Sequence, residues 1–277
     1  MRRRQAAIEL KSVDQIRSMR AAGLVVAEGL REMSDAAVCG TSTAELDRIG
    51  REVLARHGAT SSFLNYSFPP FPAVICASVN AVVVHGIPSD EVVLADGDLI
   101  SIDYGAILDG WHGDAAVSVE VGSVSREVKE LSRACRTSLW DGIAAATVGG
   151  RLTDISHAVE SSVQRSGKYG IVTGYGGHGI GTQMHMDPHI LNYGRAGHGP
   201  ELVAGMALAI EPMLTLGTEK TRELDDQWTV VTTDASWAAH WEHTVALLED
   251  GPWVLTAEDG GRAELSARGV PVSAIAD

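Results

Sequence analysis

The chain has only three cysteines in 277 residues, Cys39, Cys76 and Cys135, widely spaced and with no CxxC pair. That scarcity argues against a disulfide framework or a zinc ribbon and fits a reducing, cytoplasmic compartment. Basic residues are also in short supply: 22 Lys and Arg face 36 Asp and Glu, a net charge of −14. Such a balance disfavours a DNA- or RNA-binding surface as the main business of the protein. No apolar run approaches the ~18 residues of a membrane span. Arg2, Arg3 and Arg4 look like the basic start of a signal peptide, but no apolar stretch follows them. A Pro/Gly/Ser-rich linker is missing as well, so residues 12–277 read as one domain behind a basic tail, residues 1–11. Glycine alone is abundant, with 30 residues, and predicts many tight turns or close backbone approaches.

Helix signals come in two pairs. Ser12 with Gln15 forms a capping box ahead of the helical spacing Val13, Ile16, Met19, and the stop is at Gly40. Ser42 with Glu45 opens a second helix that ends at Gly58. Two more helices fit residues 126–146 and 153–165, closing at Gly149-Gly150 and Gly167. Short apolar runs predict strands at 74–79, 82–84, 99–108, 111–121, 171–173, 206–210, 228–232, 244–248 and 253–256. Gly40, Leu46 and Gly58 recur as Gly149, Ile155 and Gly167 at an offset of 109 residues. Two related halves around one sheet would produce that recurrence, and so would two unrelated amphipathic helices that end in glycine. Helices alternating with hairpins indicate an α+β fold.

Asp109-Gly110 is a two-residue hairpin signal between the runs 99–108 and 111–121. Its register sets Asp103 opposite Ala116, and Asp114, two residues from that partner, shares its face. Strand interiors seldom carry Asp. Two carboxylates on one face among Ile, Val and Ala repel each other unless a cation lies between them. Elsewhere His178 is flanked by Gly176, Gly177, Gly179 and Gly181, Glu211 ends an apolar strand, and Glu242 begins another. Four carboxylates and one imidazole suit hard or borderline cations such as Mn, Fe(II), Co or Zn, and match thiolate-loving metals poorly.

The ordered set Asp103, Asp114, His178, Glu211, Glu242 resembles the dinuclear site of the methionine aminopeptidases. These belong to the wider pita-bread group of aminopeptidases, prolidases and creatinases. The segments Ser78-Val79-Asn80 through His85-Gly86-Ile87-Pro88, Asp109-Gly110-Trp111-His112-Gly113-Asp114, Gly177-His178-Gly179-Ile180-Gly181 and Glu242-His243-Thr244 extend the resemblance over almost the whole chain. It implies pseudo-twofold halves around a curved antiparallel sheet. Lengths select the subtype. Only 102 residues precede Asp103, too few for the extra domain of prolidases, and Glu211 and Glu242 lie 31 apart, leaving no room for the type II insertion. The cysteine count excludes the zinc-binding extension of eukaryotic type I enzymes, so the short, bacterial-style type I remains.

The resemblance further implies a metalloprotease that removes the N-terminal methionine from nascent polypeptides with a small second residue. Two divalent ions (Co, Mn, Fe(II), Ni or Zn) would activate a shared water. Asp103 would chelate one ion, Asp114 and Glu242 would bridge both, and His178 and Glu211 would complete the other shell. Glu211 would also shuttle the proton, while His85 and His185 hydrogen-bond the scissile amide and the oxyanion. Phe68, Phe71, Cys76 and Trp228 match positions that line the methionine pocket. A transient visit to the ribosome, aided by the N-terminal arginines, and a monomeric state are expected. Three positions depart from the family pattern: Met184 for a usual Phe, Met186 for a common acid, and Gly105 for a common Thr. The competing readings are a pita-bread peptidase specific for X-Pro and a non-catalytic ribosome-associated relative; the latter type loses ligands that this chain retains.

Overall fold

The computed structural model describes residues 8–276. Its helices are α1 (Val13–Ala36), α2 (Thr43–His57), α3 (Arg126–Ala145), α4 (Leu152–Ser166) and the short α5 (Arg262–Ala267). The strands run β1 (Thr60–Ser61), β2 (Ile75–Val79), β3 (Val82–Val84), β4 (Leu99–Leu108), β5 (Trp111–Glu120), β6 (Gly170–Ile171), β7 (Gly177–Gly179) and β8 (Met186–Ile190). They continue with β9 (Ala207–Ile210), β10 (Met213–Thr215), β11 (Thr221–Glu223), β12 (Val230–Thr232), β13 (Ala238–His240), β14 (Glu242–Leu248) and β15 (Gly251–Val254).

The capping signals act as expected. Ser12 and Gln15 close a reciprocal capping box on α1, the Ser42 hydroxyl accepts from the Glu45 amide at the start of α2, and Gly58 ends α2 in the left-handed conformation. The recurrence of 109 residues is also structural. Helices α2 and α4 are each 15 residues long, and both their first and last residues are 109 apart.

A central antiparallel sheet runs in the order β1-β4-β5-β14-β9-β7-β8, with β2 also paired to β4 and β15 to β14. Because paired residues share a face, the row Tyr104, Ala115, His243, Ile210 runs across four strands on one side. All four long helices cover that side. Val26 and Leu30 of α1 and Leu46 and Val53 of α2 pack with Ile100, Ile102 and Tyr104, while Leu139 and Ile143 of α3 and Ile155 of α4 pack with Leu208, Ile210 and Val245. The other face is left for the site.

Several strands carry no sequence signal. Strand β7 is Gly-His-Gly, and β8 contains Asp187-Pro188, a combination that reads as a turn. Their pairing is enforced from both sides: a Cβ on Gly177 would collide with the Ala209 carbonyl and one on Gly179 with the Asp187 carbonyl. Residues 8–11, expected to belong to a basic tail, are held on the body. The Lys11 amide donates to the Gly205 carbonyl (2.8 Å), its buried ammonium lies 3.3 Å from Glu9, and Ile8 packs against the core. Arg2, Arg3 and Arg4 lie outside the described residues.

Helix α1 approaches the end of β15 closely enough that a Cβ on Gly23 would meet the Leu255 carbonyl oxygen. Backbone cannot yield as a flexible side chain does. Gly23→Ala is therefore expected to lower stability by about 1–3 kcal/mol in urea unfolding; an unchanged midpoint would contradict this packing.

Candidate metal centre and substrate cavity

The hairpin register predicted from Asp109-Gly110 is the one observed, with Asp103 opposite Ala116. Ala116 in turn pairs with Glu242 on β14. Two residues along β14, Thr244 pairs with Ala209 of β9, and Ala209 pairs with His178 of β7. Glu211 follows Ala209 by two residues. Asp103, Asp114, Glu242, Glu211 and His178 thus project from five segments onto one face, opposite the helices. Thr244 locks two of these strands together: its hydroxyl donates to the Asp114 carbonyl (2.8 Å) and accepts from the Asp114 amide (3.2 Å). That contact accounts for the threonine of the Glu-His-Thr segment.

One donor atom from each of Asp114, His178 and Glu242 lies within 4.8 Å of the others. His178 Nε2 is 3.5 Å from Glu211 Oε1, and His178 Nδ1 is 3.0 Å from the Gly179 carbonyl oxygen. With the proton on Nδ1, donated to that carbonyl, Nε2 keeps its lone pair turned toward the carboxylates. Burial is the first cause of every titration shift in the cluster. It pushes Asp103, Glu211 and Glu242 well above the usual carboxylate range, with the charges of their acidic neighbours adding to it, and lifts Asp114 to about 7. It lowers His178 to about 3, so the imidazole is neutral. Asp103 Oδ1, Asp114 Oδ1 and Glu242 Oε1 are buried and find no hydrogen-bond donor in the protein. Buried oxygens of this kind call for a partner, and hard oxygen donors with one imidazole fit divalent cations.

These groups line the floor of a cavity of about 490 Å³. One wall is an apolar cluster of Phe63, Phe71, Cys76 and Met184, against which Trp228 packs edge-on to Phe71. Cys76 pairs with Asp103, so it looks into the same cavity. Phe68 does not. The Asn65 amide bonds to the Phe71 carbonyl and the Phe71 amide to the Tyr66 carbonyl, which closes the loop and leaves Phe68 at its tip, 92% exposed. Phe63 and Tyr66 line the cavity instead, though neither stands out in the sequence. Gly105 is the one available clue to Phe63: a Cβ there would lie 2.9 Å from the Phe63 ring and 2.8 Å from Ser62 Cβ. The missing threonine side chain is thus replaced in space by Ser62 and Phe63.

Both other histidines reach the cavity. His85, in a left-handed conformation (φ 59°), meets Tyr175 and Trp228 edge-on, and burial lowers it to about 4. His185 sits 4.4 Å from the His178 ring centroid, and its Nδ1 is 2.6 Å from the Tyr66 hydroxyl. Met186 lines the same rim.

A carboxyl group whose pKa is higher in the native state binds its proton more tightly there than in the unfolded chain. Stability then falls as pH rises from the ordinary value through the native one, for Asp114 from 3.8 to about 7. In chelator, the thermal midpoint should drop between about pH 4 and about pH 7, Mn²⁺ should restore it most at the higher pH, and Asp103→Asn should flatten the fall. A pH-independent midpoint in chelator would contradict this electrostatic picture.

The profile of metallopeptidase family M24 matches residues 17–249. Methionine aminopeptidase 1 of Mycobacterium tuberculosis is 58% identical over 251 residues, 89% of this chain and 94% of that protein. The crystal structure of methionine aminopeptidase from Thermotoga maritima superposes with a TM-score of 0.88 at 38% identity, covering 91% of this chain and all of that one. Prolidase from Pyrococcus furiosus shares the fold at 20% identity, with a TM-score of 0.72 over 90% of this chain and 65% of that one. With its pita-bread fold, the chain belongs to metallopeptidase family M24 and, within it, to the methionine aminopeptidases.

Proposed function

We propose that the enzyme removes N-terminal methionine from nascent polypeptides with a small second residue, using two divalent cations held by Asp103, Asp114, His178, Glu211 and Glu242. The observation that carries this reading is a set of buried carboxylates on the floor of a cavity with an apolar wall. When bound, the cations supply the positive charge that makes water a nucleophile at neutral pH. Glu211 takes the proton from that water at its carboxylate and delivers it to the leaving amine, a role open to a carboxylate that lines the cavity beside the other acidic groups. A Tyr66 hydroxyl that donates to His185 Nδ1 leaves the proton on Nε2, so His185 is a donor for the developing oxyanion. His85, neutral across the cavity, hydrogen-bonds the scissile amide.

The unbranched methionine side chain lies against Phe63, Phe71, Cys76, Met184 and Trp228, where burial is worth roughly 1.5–3 kcal/mol. Met184 in place of an aromatic ring gives this wall a flexible edge. Bulky second residues are excluded sterically. Mn, Fe(II), Co, Ni and Zn all satisfy such donors, so cellular supply selects the metals. Residues 12–277 form a single catalytic unit that works as a cytoplasmic monomer with transient ribosome contact. Free Cys39, Cys76 and Cys135 support a reducing compartment, and among the described residues no helix is long and apolar enough to cross a membrane.

Metal-loaded enzyme should release methionine from Met-Ala-Ser and leave Ala-Pro intact. Glu211→Gln should lower kcat by about 10²- to 10⁴-fold. Cleavage of Ala-Pro without methionine release would overturn the assignment.

A further inference from the structure

His240 is a buried imidazole (2% exposed) that has no part in the chemistry above. It ends β13, and a single residue, Trp241, separates it from Glu242. Its backbone is fixed from the centre of the sheet. The His240 amide donates to Ser118 Oγ (3.0 Å) and Ser101 Oγ (3.2 Å), and the Ser118 hydroxyl donates back to the His240 carbonyl (2.9 Å). Ser101 and Ser118 are themselves paired across β4 and β5, hydroxyl to hydroxyl at 2.9 Å.

The imidazole so placed has an Nε2 that is buried and without a hydrogen-bond partner, 3.7 Å from Glu211 Oε2. The other oxygen, Glu211 Oε1, faces His178 Nε2 at 3.5 Å, and the Glu211 carbonyl accepts from the Asn192 amide group (3.0 Å). Glu211 therefore lies between two imidazoles, one on the cavity side and one beneath it.

We infer that His240 is a positioning residue for Glu211: its Nε2–H, anchored through the Ser101–Ser118 pair, orients the carboxylate so that one oxygen stays turned to the cavity. The inference rests on the reading of Glu211 as the group that moves the proton. Because His240 lies under the cavity wall, it acts on turnover through Glu211 and not on substrate binding. A carboxylate left free to rotate spends less time in the productive orientation, and it is a poorer cation ligand for the same reason. Glutamine can place an amide N–H near the position of Nε2, whereas leucine fills the space without a donor.

The test compares His240→Leu and His240→Gln with the unaltered enzyme, with Glu211→Gln as reference. His240→Leu should lower kcat on Met-Ala-Ser by about 10- to 100-fold with KM unchanged, and weaken calorimetric binding of Mn²⁺ to the metal-free protein by about 10-fold. His240→Gln should recover most of both losses. Equal losses in the Leu and Gln variants would assign His240 to packing and overturn the inference, as would full kcat and full Mn²⁺ affinity in His240→Leu beside an inactive Glu211→Gln. Full activity in Glu211→Gln would instead bring down the reading of Glu211 itself.

Discussion

Four carboxylates share one face of a sheet whose opposite face is sealed by helices, and the repulsion among them governs the rest of the site. Donor atoms of Asp114 and Glu242 lie within 4.8 Å, a separation at which two like charges repel by roughly 3 kcal/mol at an effective dielectric of 20. Burial adds to that cost, and three of the oxygens have no donor in the protein. A divalent cation between the carboxylates offsets all of these costs at once. The same groups that weaken the metal-free chain as pH rises are those that would hold the metal.

Such an arrangement survives only on a rigid support. Pairing across β4, β5, β14, β9 and β7 fixes the lateral spacing of the five side chains, and Thr244 fastens Asp114 to the neighbouring strand. Glycines let β7 close against its neighbours on both sides, so His178 enters the same row. The helices do not touch the chemistry; their contribution is the apolar layer behind Tyr104 and Ile210 that keeps the sheet from relaxing away from the charges.

How much of this was legible in the sequence depended on how local the determinants were. The Asp109-Gly110 turn fixes its own register, so the shared face of Asp103 and Asp114 followed from two residues and arithmetic. Helix starts were written in Ser12, Gln15, Ser42 and Glu45. Strands β7, β8, β10 and β13 were not legible, because their pairing comes from tertiary neighbours rather than from alternation. The apolar wall of the cavity is the least local feature. The family resemblance points to Phe68, but the loop closed by Asn65 and Phe71 turns it outward and brings Phe63 and Tyr66 inward. The pairing of Gly105 with Phe63 shows how an absent side chain in one strand and a bulky one in a distant loop compensate; neither is informative alone.

The claim on which everything converges is that the five side chains form one cation site. Anomalous diffraction from crystals grown with Mn²⁺ locates the ions directly. Two strong peaks should appear at the cavity floor, both within bonding distance of Asp114 and Glu242, one also bound by Asp103 and the other by His178 and Glu211. Peaks confined to the protein surface, or none at all in the cavity at saturating Mn²⁺, would contradict the account.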